Sequence, residues 1–476
     1  MNKQEEPSVE EFNADVEKAS EKIEEIVKEK VAYEIKPSGE GHTPSDIVVK
    51  KTVEPYANDG KIRIFYYGDF LQSTGFGNVA EALIEELLKT GKYHFECLAI
   101  NYDGAPINDS KHKYYKFKNV PIHPAVNLFK HQIDFMGAQK LQELLQTQMF
   151  DILFVLQDTF NMLSHAPLLR ELKKKRQFKY VFYFPIDGNI KSQWVEEGMK
   201  LADCAVTYTN YGLEKISEHD DSIKVRRIYH GSNLEVFKPF ETEEKRKAFR
   251  EEYFGIQNED TFLMINVNRN QPRKDMVRCL LAFDDFCKKY PEVKVKLYLH
   301  CRVQDAHGLN LPEICKNYIG KETYQHINFA DQLLLGNDGY PVEMMRKIYA
   351  AADVCLSTSL GEGWGLCTTE AMSCKTPVMM PRNTSNIEII GENEERGYLV
   401  KSGNTPNLCI INRHDNDILR PLVDIEDFVA KLKYMYDNKE EVKQKTEKAY
   451  EWISKLSWEE VAKNWDEVFS EMYSKL

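Results

Sequence analysis

From Lys61 onward, short apolar segments of strand length alternate with amphipathic segments of helix length, and the series runs twice. The first series reads as strands at Ile62–Tyr67, Phe95–Ile100, Ile152–Leu156, Tyr180–Phe184, Cys204–Tyr208 and Val225–Tyr229, with a helix at Val79–Leu88. The second starts near residue 260, with strands at Phe262–Val267, Lys296–His300, His326–Phe329, Val354–Ser357 and Val378–Met380. Helices are expected between them, at about 275–289, 341–351 and 366–374. Strands separated by helices are joined by crossovers, so each series predicts a mainly parallel sheet with helices on its faces. A chain of 476 residues is too long for one core. Two α/β domains are therefore expected, with repeated architecture but no sequence repeat. Hydrophobic content of 42% and charged content of 29% are those of an ordinary globular protein.

The ends of the chain differ from this body. Residues 1–60 carry 15 acidic residues against 8 lysines, with few large apolar side chains. Within them Val9, Phe12, Val16, Ala19, Ile23 and Ile26 repeat at spacings of three and four. This is a heptad-like seam, expected on a helix over about 9–31 that either rests as a solvated helix or serves self-association. Pro37, Gly39, Gly41, Pro44 and Pro55 mark a linker. The expected division is 1–60 extension and linker, 61–238 first domain, 239–456 second domain and 457–476 terminal helix, with the crossing between domains at Phe237–Thr242. A formal net charge of −12 argues against a general nucleic-acid or membrane-surface binder. The ten cysteines show no CxxC pairs, and several, such as Cys97, Cys204, Cys355 and Cys374, sit in apolar runs. They read as buried free thiols in a reducing compartment. With a polar, acidic N-terminus and no apolar run near the ~20 residues of a membrane span, the expected location is cytoplasmic.

The chemistry concentrates in Ser357–Ile390. Just before it runs a strand-like segment, Val354-Cys355-Leu356, which leads into a glycine turn and then a helix. Glu362 and Glu370 are eight positions apart, bracketing Gly363, Trp364, Gly365 and Leu366. Glycines let backbone approach a ligand closely, and the free N–H groups of a helix's first turn form an anion site. Two carboxylates flanking such a turn suit a ligand with a diphosphate in the middle and hydroxyls at both ends, a nucleotide sugar. Arg269 and Lys274 lie five apart after the first strand of the second series, on a loop leading into a helix. An arginine fork and a lysine point charge suit a leaving diphosphate; Arg273 is a spare cation beside them. In the first series, Gly75-x-Gly77-x-x-Ala80 lies in a glycine loop reaching from Gly68 to Gly77. It fits the dinucleotide fingerprint G-x-G-x-x-A in outline, but about seven residues separate it from the strand end and no clear ribose-binding acid follows. Asp187 ends another first-series strand and Asp158 the preceding one, where loops line ligand clefts in such sheets; either could equally be a turn or cap aspartate. Ile228-Tyr229-His230-Gly231-Ser232-Asn233 precedes Phe237-Lys238-Pro239, with His230 expected as a hydrogen-bonded turn residue. No metal site is evident.

These segments together resemble the retaining GT-B glycosyltransferases of family four, over roughly residues 61–470: the E-x7-E signature at Glu362–Glu370, the basic pair Arg269/Lys274, the glycine loop, and the HG-x-(D/N)…F-x-P segment. The resemblance implies an α/β GT-B fold: two Rossmann-like parallel-sheet domains facing a cleft, with a helical N-terminal extension and a C-terminal helix (Ser457–Leu476) crossing back to the first domain. It implies a UDP- or GDP-sugar donor, transfer with retention to an acceptor hydroxyl and no metal or other cofactor. The acceptor, whether glycan, lipid-linked, protein or small molecule, stays open. Arg269 and Lys274 would hold the diphosphate with the amides of Gly363–Leu366. Glu370 would take the ribose hydroxyls and Glu362 those of the donor sugar. Gly75 and Gly77 would face the diphosphate across the cleft, and Asp187 would stand near the acceptor. The sequence departs from the family where Asn268 and Asp275 replace glycines before the Arg and after the Lys. Two other classes compete: a GT-B protein that binds nucleotide sugar or scaffolds without turnover, and a nicotinamide-dependent enzyme using the Gly75–Ala80 loop.

Overall fold

The computed structural model describes residues 59–126, 134, 136–336, 339–412 and 415–476. The extension, with its heptad-like seam at 9–31, lies outside the described residues.

Two parallel sheets form as the alternation predicts. The first has seven strands in the order β3-β2-β1-β4-β5-β6-β7. These are β1 (Ile62–Asp69), β2 (Tyr93–Ile100), β3 (Ile122–Pro124), β4 (Ile152–Leu156), β5 (Lys179–Phe184), β6 (Cys204–Thr207) and β7 (Val225–Arg227). The second has six, in the order β10-β9-β8-β11-β12-β13. These are β8 (Phe262–Val267), β9 (Val295–His300), β10 (Ile327–Phe329), β11 (Val354–Leu356), β12 (Val378–Pro381) and β13 (Tyr398–Val400). The central strand β4 is buried at every residue. Helices cover both faces of such a strand, which is why it reads as an unbroken apolar run. A small antiparallel hairpin, β14 (Cys409–Ile411) and β15 (Leu419–Pro421), follows the second sheet.

Both sheets reverse direction beside their first strand. In the first, the chain builds outward through β2 and β3, then returns to place β4 on the other side of β1. In the second, β11 returns beside β8 in the same way, with Val354 opposite Met264 and Cys355 opposite Ile265. Such switch points leave a crevice at the carboxyl ends of the two strands, where ligands bind in open α/β sheets. The segments that follow β1, β4, β8 and β11 carry Gly75–Gly77, Asp158, the Arg269–Lys274 segment and the Glu362 turn.

The C-terminal helix α4 (Trp458–Ser474) lies on the first sheet. Trp465 is fully buried against Phe154 and Tyr183, at ring-centroid distances of 4.9 and 4.7 Å. Asp466 accepts from Lys92 Nζ at 2.7 Å and from the Tyr93 hydroxyl at 2.6 Å. The helix enters beside the His230 segment, where a Cβ on Gly231 would stand 2.7–2.8 Å from Trp458. Only glycine allows that approach. His230 is buried 2.7 Å from the Tyr183 hydroxyl, and burial holds its imidazole down to about 3, so it stays neutral. All ten cysteines are free thiols, seven of them buried. Among the described residues no helix is long and apolar enough to cross a membrane.

Candidate active site

The basic loop and the Glu362 turn are about 90 residues apart in sequence but leave adjacent strands, and hydrogen bonds tie them together. Leu360 N–H donates to Arg273 O at 2.8 Å, and the Thr358 hydroxyl donates to Asp275 O at 2.8 Å. Lys274 Nζ forms a direct ion pair with Glu362 Oε1. Arg273 donates to Gly361 O, and its Nη1 stands 3.6 Å from Glu362 Oε2. Burial alone would raise the Glu362 carboxyl, but Lys274 and Arg273 outweigh it and hold the group at about 2. The result is a buried, fixed carboxylate beneath the turn.

The turn itself is built as an N-terminal cradle. Gly365 adopts φ +99° and caps helix α3 (Leu366–Ser373); the Thr368 amide donates back to Gly365 O at 3.0 Å, while helix geometry gives those of Leu366 and Cys367 no intrahelical acceptor. Gly363 touches the opposite domain: a Cβ there would come within 2.6 Å of Pro185 Cβ, at the end of β5. The Trp364 ring points away from the turn into an aromatic cluster, 5.1 Å from Tyr229 and 5.7 Å from His230. Its carbonyl accepts from Ser385 Oγ at 2.8 Å, which fixes the turn from behind. Glu370, one turn into α3, accepts from the Tyr349 hydroxyl at 2.8 Å. Burial raises its carboxyl to about 7, the single tyrosine bond offsetting only part of that effect.

Across the gap stands a second helix start. The segment expected as a loop through Gly77 instead enters helix at Gly75: α1 spans Gly75–Lys89, and Thr74 caps it by accepting from Gly77 N at 3.0 Å. Two glycines in a first turn carry little helical signal, so propensity places the boundary four residues late, at Val79. The Thr74 hydroxyl in turn donates to the buried Asp69 at 2.7 Å. A Cβ on Gly77 would stand 2.2 Å from Gln72 O, so the capped turn closes only with glycine. A Cβ on Gly75 would lie 3.7 Å from Leu366 Cδ1, which sets the first turns of α1 and α3 against each other.

Arg269 stands apart from the Lys274–Glu362 pair. Its guanidinium is half exposed and pairs with Asp305 at 2.9 and 3.2 Å. Arg273, a spare cation on sequence grounds, holds the more central place, between Glu362 and Asp187, with its Nε 3.5 Å from Asp187 Oδ2. Asp187 also meets Arg420 Nη1 at 3.1 Å, and Arg420 is held by Asp415 at 2.7 and 2.9 Å. Arg420 gave no sequence signal. It sits on β15, a three-residue strand far from every motif. Tyr349 and Thr384, which accepts from Glu362 N at 2.9 Å, were equally silent, because their partners come from other elements.

Two parallel-sheet domains meeting at the carboxyl ends of their strands, with a C-terminal helix returning to the first, define the GT-B class of glycosyltransferase folds. Residues 249–409 match the model of the family described as glycosyl transferases group 1. Solved structures of similar fold include a sucrose-phosphate synthase from Thermosynechococcus elongatus, with TM-score 0.63 and 14% identity over 87% of this chain and 100% of that one. The Anabaena HepE protein in complex with UDP-glucose aligns with TM-score 0.62 and 12% identity, over 87% of this chain and 100% of that one. A glycosyltransferase from Rickettsia africae aligns with TM-score 0.61 and 16% identity, over 87% and 98% of the two chains. No curated protein sequence matches the chain.

Proposed function

We propose that this chain transfers a sugar from a nucleoside-diphosphate sugar to an acceptor hydroxyl, with retention of configuration and without a metal ion. The observation that carries the proposal is the Lys274–Glu362 pair under the Gly363–Leu366 turn, faced by the capped start of α1. The donor diphosphate fits between the two helix starts. Lys274, the α3 amides and Arg269, once it turns from Asp305, neutralise the charge that grows on the departing phosphate. Preorganised stabilisation of this kind usually contributes more to catalysis than any other single effect. Glu370 accepts the ribose hydroxyls, and Glu362, anchored by Lys274, faces the donor sugar. The bond from the anomeric carbon to the phosphate oxygen breaks, and its electron pair leaves with the nucleoside diphosphate. The acceptor oxygen bonds to the same carbon on the same face, and its proton passes to a phosphate oxygen. The donor nucleoside is uridine or guanosine; the structurally similar Anabaena protein holding UDP-glucose favours testing uridine first.

Lys274→Ala and Arg269→Ala should each cost roughly 2–4 kcal/mol of transition-state stabilisation, read as kcat/KM for donor turnover. Full rates in both variants would remove the diphosphate assignment. Because fixed cations neutralise the leaving group, excess EDTA should leave turnover intact; its loss would show a metal requirement. Hydrolysis of UDP- and GDP-sugars in the absence of acceptor separates this enzyme from a GT-B protein that only binds its nucleotide sugar. NADH titration tests the nicotinamide alternative.

A further inference from the structure

Beside the Glu362 turn lies a cavity of about 650 Å3, within the roughly 300–1,000 Å3 of small-molecule sites. One wall comes from the first domain: Asp158 and Phe160 after β4, and Asp187 after β5. The other comes from the second domain: Arg273, and Asp415 with Arg420 from the β14–β15 hairpin. The residues matched to the family model end at 409, so β15 and its Arg420 lie beyond them.

The charges of this cavity are settled among themselves. Arg273 faces Glu362 and Asp187; Arg420, only 3% exposed, is shared between Asp187 and Asp415. Among the described residues three lining carboxylates stand against two lining guanidinium groups, and His307, the one other titratable side chain in the lining, is exposed. A phosphate or carboxylate entering here would have to displace a part-buried carboxylate from Arg273 or from the buried Arg420, which costs more than an exposed pair returns. A purely apolar ligand would cover Asp158 without giving it a partner. Among the described residues no donor reaches the Asp158 carboxylate, and burial followed by the nearby Asp187 pushes it up to about 7. At the mouth, Phe160 is 37% exposed, its ring tilted against Trp194 at 5.9 Å. A flat apolar plate beside carboxylates that accept hydrogen bonds matches a ring with one C–H face and a rim of hydroxyls.

We infer that this cavity is the acceptor subsite and that it takes an uncharged saccharide, its ring on Phe160 and its hydroxyls toward Asp158 and Asp187. The inference rests on the glycosyltransferase reading and adds the acceptor's chemical class. Two assays keep them separate. Release of nucleoside diphosphate from UDP-glucose, UDP-N-acetylglucosamine and GDP-mannose without acceptor tests the donor reading alone. The same assay with methyl glycosides and disaccharides of glucose, galactose and mannose, against the 6-phosphates and uronic acids of those sugars and against dodecanol, tests the acceptor. Transfer to a neutral saccharide at least tenfold faster than to its charged counterparts is expected. Phe160→Ala and Asp158→Asn should each raise the acceptor KM tenfold or more while the donor KM does not follow. Preference for a phosphorylated or carboxylated sugar or for dodecanol would overturn the inference. So would donor hydrolysis that no neutral saccharide accelerates, or an unchanged acceptor KM in both variants. No turnover of any donor in either assay would remove the glycosyltransferase reading and this inference with it.

Discussion

Glu362 and Glu370 are the same residue type on one short turn and helix, yet their surroundings push them in opposite directions. Glu362 lies against Lys274 and Arg273 and is held at about 2, so it is ionised throughout the working range. Glu370 has burial and one tyrosine hydroxyl, and stands at about 7. Its sign is that of a raised carboxyl: mostly protonated at pH 6, mostly ionised at pH 8. The ionised form accepts from two hydroxyls at once, so nucleoside-diphosphate binding should tighten as pH rises through that window. Calorimetric titration of UDP and GDP at pH 6 and 8 checks this, and Glu370→Gln should flatten the difference. A dependence that persists in the glutamine variant would place the titrating group elsewhere. The two glutamates were legible in the sequence because spacing, glycines and the following helix coincide locally. Which of them is paired and which is left raised was not, since Lys274, Arg273 and Tyr349 arrive from other elements.

At the level of elements, Asp275 shows what a departure from a family pattern can mean. It follows Lys274, at a place where the family pattern that the sequence resembles has glycine, and its backbone has φ +44°, in the left-handed region. The side chain offsets that conformation by capping α2 (Met276–Lys289): it accepts from Arg278 N at 3.2 Å and Arg278 Nε at 3.3 Å. Asp275→Ala keeps the left-handed backbone and loses the cap, so it should destabilise by about 1–2 kcal/mol. Asp275→Gly loses the cap but relaxes the backbone and should cost less. Denaturant unfolding of both gives the order, and alanine at or above glycine in stability would contradict it. The strands that escaped the sequence are β3, β13, β14 and β15, each three residues long. β13 exists because β12 offers it a neighbour, Met379 opposite Tyr398, and not because Tyr-Leu-Val carries a pattern. Ile411 and Leu419 of the hairpin are 58% and 52% exposed, so no alternation of buried and open positions marked them.

Across the whole molecule, α4 fastens the end of the chain to its first sheet. Trp465 has no exposed surface and fills the space between Phe154 and Tyr183. Trp465→Ala should therefore cost about 3–5 kcal/mol, in the range for removing a buried large aromatic. Thermal unfolding measures it, and a loss below about 1 kcal/mol, well under that range, would mean that the helix does not share that core. Strand and helix periodicity alone determined that there would be two parallel sheets, because buried central strands and amphipathic crossovers write themselves into local runs of residues. The same holds for the strand–glycine–helix cradle, whose parts are consecutive. Only the tertiary structure decided that Arg273 stands between Glu362 and Asp187, that Arg420 reaches Asp187 from the other domain, and that Arg269 pairs with Asp305. These are contacts between side chains tens to hundreds of residues apart, and neighbours of that kind are set by which strands lie side by side, a choice no local window of sequence contains.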